Sequence, residues 1–131
     1  MFGLRLIEGI GKKMDGRLTT HVLDTARGLP AGGVTIRLYR LSGQSRHQIG
    51  DAVTNADGRT AAPLLAGAAL IAGAYELVFA AGDYLRASGQ AGSGVLFLDE
   101  IPIRFGISDP AAHSHVPLLL SPFGYATYRG S

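Results

Sequence analysis

From Val34 to Arg40 the chain reads VTIRLYR: Val34, Ile36, Leu38 and Arg40 fall on one side, Thr35, Arg37 and Tyr39 on the other. A period of two marks a strand that is buried on one face and wet on the other. The same rhythm returns at Leu18–Thr25 and Tyr75–Phe79, in IPIRFGI at 101–107, and in two C-terminal runs, His113–Leu120 and Tyr125–Tyr128. Between these runs stand most of the 19 Gly and 6 Pro, which punctuate turns and leave little room for long helices. The chain is therefore expected to be all-β, with seven to eight strands in a two-sheet β-sandwich and a closed barrel as the alternative. One short helix is expected over Gly82–Gly89, with Asp83 near its start and Gly89 as its stop.

Turn chemistry fills in the connections. Ser-Gly-Gln-Ser-Arg after Leu41 suits a hairpin whose return strand runs through Val53. Thr54-Asn55-Ala56-Asp57-Gly58-Arg59 supplies side-chain acceptors and a glycine for a tight turn, with Arg59 expected to open the next strand. Pro102 assigns its strand to a sheet edge or a strand start. Ser121-Pro122-Phe123-Gly124 joins the last two strands as a hairpin.

At 131 residues the chain has the size of one domain, in which roughly two thirds of the unfolded surface can be buried without disulfides or a structural metal. Cysteine is absent, which excludes a disulfide framework, a thiol nucleophile, thiolate zinc and iron–sulfur clusters. A net charge of +2 without a basic run does not support nucleic-acid binding. No run of about twenty apolar residues is present to span a bilayer. Residues 1–16 carry Arg5, Glu8, Lys12 and Lys13 among apolar residues, which breaks up a signal-peptide core. They are expected to form a flexible extension ahead of a domain at 17–131, and the cytoplasm is the expected location.

Four histidines, His21, His47, His113 and His115, carry most of the chemical options. His113 and His115 are two apart, so a strand points both to one face. They could ligate zinc with a third His, one imidazole could serve as general base, or they could be structural. Arg59 is a solvated side chain or, as a planar fork of donors, an anchor for an anionic or imide-rich ring. The ending Thr127-Tyr128-Arg129-Gly130-Ser131 places a hydroxyl, a guanidinium and a carboxylate together, or is a frayed tail. Dinucleotide, P-loop, zincin, nucleophile-elbow and EF-hand templates find no complete motif.

Taken in order, Leu18-Thr-Thr-His21-Val-Leu-Asp-Thr25, Gly28-Leu-Pro-Ala, Thr54-Asn-Ala-Asp-Gly-Arg59, His113-Ser-His115-Val-Pro-Leu-Leu-Leu-Ser-Pro122 and Tyr128-Arg-Gly-Ser131 resemble one family. That family is 5-hydroxyisourate hydrolase, the transthyretin-related enzyme of urate degradation, and the resemblance covers about residues 17–131. It implies a transthyretin-like sandwich, a homotetramer with active sites where two dimers meet, and no cofactor or metal. The motif positions fall on His21, Arg59, His115 and Ser131 as catalytic residues, with Tyr128, Arg129 and Gly130 lining the substrate. The sequence departs from the family pattern at Ser114, at Ala126 and in FLDEIP at 97–102; Ser114 and Ala126 are expected to face away from their neighbours. The implied reaction is hydrolytic opening of the six-membered ring of 5-hydroxyisourate to 2-oxo-4-hydroxy-4-carboxy-5-ureidoimidazoline. Its rivals are a zinc hydrolase built on His21, His113 and His115, and a small-ligand carrier without catalysis.

Overall fold

A computed structural model describes residues 16–130; the expectation for the N-terminal extension and the position of Ser131 lie outside them. One layer is a regular antiparallel sheet of β4 (Thr35–Ser42), β5 (Ser45–Val53), β7 (Gly73–Ala80) and β8 (Glu100–Ile107), in the order β5-β4-β7-β8. β4 and β5 form the expected hairpin, turning at Gly43 with φ 60°. β8 is an edge strand, where the missing N–H of Pro102 can be accommodated. It begins at Glu100, one residue ahead of the alternating run at 101–107.

The other layer is broken. The strand expected over Leu18–Thr25 is two pieces, β1 (Arg17–Thr19) and β2 (Val22–Asp24), and the run His113–Leu120 is likewise β9 (His113–His115) and β10 (Leu118–Ser121). β1 pairs with β9, and β2 with β10, in parallel, with the same 96-residue offset on both sides of the break. Backbone bonds Val116 N–H to Thr19 O (2.9 Å) and Leu118 N–H to His21 O (2.9 Å) carry the ladder across it. Pro117 has no N–H to add, and the Thr20 hydroxyl turns inward to donate to Val116 O at 2.7 Å. β6 (Leu65–Ala66) flanks β1, β3 (Leu29–Pro30) flanks β2, and β11 (Gly124–Thr127) flanks β10 as the expected hairpin. Among the described residues eleven strand segments thus replace the expected seven to eight, because two strands are interrupted and two more have only two residues.

The core lies between the layers. Leu18, Val22, Leu118 and Leu120 from the broken layer meet Ile36, Leu38, Leu77, Phe79 and Ile101 from the regular one, all essentially without solvent exposure. Helix α1 (Ala81–Ala87) follows β7 directly, with Asp83 in its first turn and Gly89, at φ 77°, just past its end, close to where the sequence placed it. Among the described residues no helix is long and apolar enough to cross a membrane.

Candidate active site

The constant offset decides which side chains share a face. Even-numbered Leu18, Thr20, Val22, Ser114, Val116 and Leu118 point inward, so Thr19, His21, His113 and His115 project from the outer face of the broken layer. Ser114 indeed faces away from the two histidines that flank it.

The Thr54–Arg59 segment docks onto the break between β1 and β2. Asn55 Oδ1 accepts from Asp57 N–H (2.9 Å) and Arg59 N–H (3.2 Å), closing the turn on itself. Gly58, at φ 74°, donates its N–H to Asn55 O, and its carbonyl accepts from Val22 N–H at 2.8 Å. A Cβ on Gly58 would lie 2.3 Å from Val22 O, so a side chain there would push the turn off the strand. The neighbouring Asp57 carbonyl accepts a hydrogen bond from His21 Nε2 at 2.9 Å. A carbonyl can only accept, so His21 carries its proton on Nε2 and, when neutral, presents a bare Nδ1. Arg59 leaves the turn as a bend, not as the first residue of a strand; β6 begins six residues later.

Arg59, Thr60–Pro63, Thr19, Thr20, His113 and His115 line an open cleft of about 330 Å³. His115 is half-buried at its edge, and its pKa is lowered from the ordinary imidazole value: burial is the largest cause, followed by the charge of Arg59 and then by His113 and His21. Each of these disfavours the imidazolium, so His115 is held neutral, as a base has to be. His115 Nδ1 lies 2.8 Å from Thr19 Oγ1, and His113 Nε2 lies 2.7 Å from the same oxygen. Thr19 was not singled out by the sequence reading. Its signal was its place two residues before His21, on the same strand face, but its partners stand more than ninety residues away.

The C-terminal run divides between functions. Gly130 N–H donates to His115 O at 2.8 Å, and a Cβ at 130 would lie 2.5 Å from His115 Cδ2. Gly130 therefore backs the imidazole directly. Tyr128 and Arg129 line a neighbouring depression of about 250 Å³ with Ile103, Phe105 and Thr127, and His115 borders both hollows. The structure thus brings Arg59 and His115 to one cleft, bonds His21 to the turn that carries Arg59, packs Gly130 against His115 and sets Tyr128 and Arg129 alongside; neither His21 nor Gly130 lines the cleft itself. His47 lies on β5 in the other layer.

Comparison with known proteins places this arrangement in a family. The model described as HIUase/Transthyretin family matches residues 18–130. The chain is 63% identical over 116 residues to the 5-hydroxyisourate hydrolase of Mesorhizobium japonicum, covering 88% of this chain and 93% of that one. It superposes on the structure of the Klebsiella pneumoniae 5-hydroxyisourate hydrolase with a TM-score of 0.73 and 39% identity, covering 88% of this chain and 99% of the other. It also matches a crystal structure of (S)-allantoin synthase, with a TM-score of 0.84 and 48% identity over 89% of this chain, while spanning only 44% of the length of that one. The chain belongs to the HIUase/Transthyretin family.

Proposed function

We propose that this protein is a 5-hydroxyisourate hydrolase that opens the six-membered ring of its substrate with water activated by histidine. The observation that carries the reading is the meeting of Arg59 and His115 in one cleft, with His21 bonded to the same docked turn and with the His115 pKa lowered by burial and by Arg59. His115 Nε2 accepts a proton from water as the oxygen attacks the ring carbonyl. The carbon–nitrogen bond then breaks, the proton passes to the leaving nitrogen, and the product is 2-oxo-4-hydroxy-4-carboxy-5-ureidoimidazoline. General-base assistance of this kind contributes about 10² to 10⁴ in rate. Arg59 stabilises the negative charge on the carbonyl oxygen, where one well-placed donor is worth roughly 3 to 4 kcal/mol. His21, with Nδ1 free to accept, orients the water.

Tyr128, Arg129 and Gly130 hold the ring edge, and Ser131 completes the site as the residue that follows them. No cofactor or metal enters this reading. A shared zinc ion is disfavoured because, among the described residues, His21, His113 and His115 do not come together as a cluster that could hold a metal ion. A homotetramer with the site between dimers belongs to the same proposal, supported by the outward-facing histidines and by the exposed Tyr128 at the hollow that His115 borders. A cytoplasmic setting belongs to it too, supported by the charges at Arg5, Glu8, Lys12 and Lys13.

The test is the ultraviolet decay of 5-hydroxyisourate generated from urate by uricase, with and without the protein and after exhaustive EDTA treatment. Acceleration that survives EDTA, and that falls tenfold or more in Arg59→Ala and in His115→Ala, is the expected result. Loss with EDTA, together with stoichiometric zinc, would establish the zinc hydrolase instead. Saturable ligand binding with unchanged decay would make the protein a carrier.

A further inference from the structure

Thr19 has one hydroxyl hydrogen and two imidazole nitrogens within hydrogen-bond distance, His115 Nδ1 at 2.8 Å and His113 Nε2 at 2.7 Å. If it donates to His115, then His115 Nδ1 is an acceptor and its proton sits on Nε2, the nitrogen that no other described residue engages. If it donates to His113, then His115 Nδ1–H donates to Thr19 and Nε2 is bare. Only the second arrangement leaves a base pointing away from the protein, because which nitrogen of an imidazole is protonated is set by the bond the other one makes. We propose that Thr19 is a positioning residue that holds His115 as its Nδ1–H tautomer, with His113 serving as the acceptor that fixes the direction of the Thr19 hydroxyl.

This rests on the hydrolase reading and deepens it. The line His115 Nδ1–H to Thr19 Oγ1–H to His113 Nε2 takes the place that a carboxylate occupies behind the histidine of a hydrolytic triad. When His115 becomes an imidazolium, its bond to Thr19 becomes charge-assisted and strengthens, which favours the protonated intermediate over the resting state. The other charged groups facing this line are Arg17, paired opposite His113 on β1, Arg59 from the docked turn and His21 at the break, with Arg104 and Arg129 around the hollow behind His115. The arginines carry donors only and cannot replace an acceptor at Thr19.

Nitrogen-15 NMR of histidine-labelled protein reads the tautomer directly in mildly alkaline buffer, where the imidazoles are neutral. His115 is expected in the Nδ1–H form in the wild-type protein and in Thr19→Ser, and to lose that preference in Thr19→Val. In the hydroxyisourate assay, Thr19→Val should lower kcat about tenfold or more with KM within about twofold, and Thr19→Ser should restore it. His113→Gln offers an amide oxygen that can still accept from Thr19, so His115 should keep its Nδ1–H preference in that variant. An Nε2–H tautomer in the wild-type spectrum would overturn the proposal, as would a Thr19→Val enzyme with the parental kcat and pH profile. If the wild-type protein leaves the substrate's decay unchanged, the hydrolase reading fails, and the spectrum alone still decides the arrangement at Thr19.

Discussion

The two layers of the sandwich solve the same folding problem differently. The regular layer has strands of eight or nine residues in continuous antiparallel register, interrupted once by a bulge between Leu38 and Tyr39. Its outer face is chemically closed: Glu76, only 4% exposed, is bonded by Arg46 and Arg104 at 2.8 Å each, and Arg46 also covers the Tyr39 ring. The broken layer has strands of two to four residues, and its outer face carries histidines bonded to a hydroxyl and a carbonyl that leave nitrogens over for other partners. Regularity supplies the scaffold, and the interruptions supply the site. A gap at Thr20–His21 is what lets the Asn55–Arg59 turn bond to the strand backbone and bring a guanidinium beside imidazoles.

If that division holds, damage to the regular layer should cost stability and spare chemistry. Phe79 is fully buried on β7 and packs between the layers. Phe79→Ala is expected to destabilise the protein by about 3 to 5 kcal/mol, the usual cost of truncating a buried phenylalanine. Urea unfolding should show a lower midpoint at an unchanged slope, and turnover per folded molecule should stay near the parental value. A comparable loss of turnover in the fraction that remains folded would mean that the layers are not separable in function.

The converse change leaves the scaffold alone and moves one ring. In Gly130→Ala the new methyl would meet His115 at Cδ2, Cγ and Cβ, the nearest at 2.5 Å, close to the backbone where the side chain has least freedom to give. The imidazole must shift from its present position against Thr19 Oγ1. Turnover should fall about tenfold, equivalent to about 1.4 kcal/mol on the barrier, while the thermal midpoint moves by only a few degrees. Parental turnover in this variant would show that the ring has more room than the static arrangement implies.

What could be read from the sequence follows the same division. VTIRLYR, YELVF and the helix at Gly82 were legible because alternation, a local turn and a stop signal are all short-range, and the regular layer is made of little else. In the broken layer, alternation marked Leu18–Thr25 and His113–Leu120 as strands but gave no sign that both stop midway. Pro117 was the visible cue, since a proline cannot donate to a ladder, yet its effect depends on Thr20 reaching Val116 O from a strand 96 residues away. The site positions His21, Arg59 and His115 came from the family resemblance, because spacing left zinc, base and structural roles all open. Thr19 escaped because a threonine in a strand is unremarkable until its two partners are known.

The smallest effect belongs to the closed outer face of the regular layer and depends on pH. The Glu76 carboxyl is held below the ordinary carboxylate range, first by its hydrogen bond from Arg104 and then by that from Arg46, against the opposing effect of burial. Both arginines are substantially exposed, 49% and 71%, so solvent screens much of the attraction, and Glu76→Gln should cost about 1 kcal/mol at neutral pH. A folded-state pKa below the unfolded one means that the unfolded chain binds the proton more readily. The contribution of Glu76 is thus fully present above about pH 4.3, the unfolded value, and is lost as pH falls through the lower folded value. Wild-type and Glu76→Gln unfolding curves should accordingly converge in acid and separate toward neutrality, with turnover near neutrality unaffected because the pair sits on the face opposite the histidines. A difference in stability that is flat across that range would mean that the amide loses packing instead of charge, and a loss of turnover would place the two outer faces in communication.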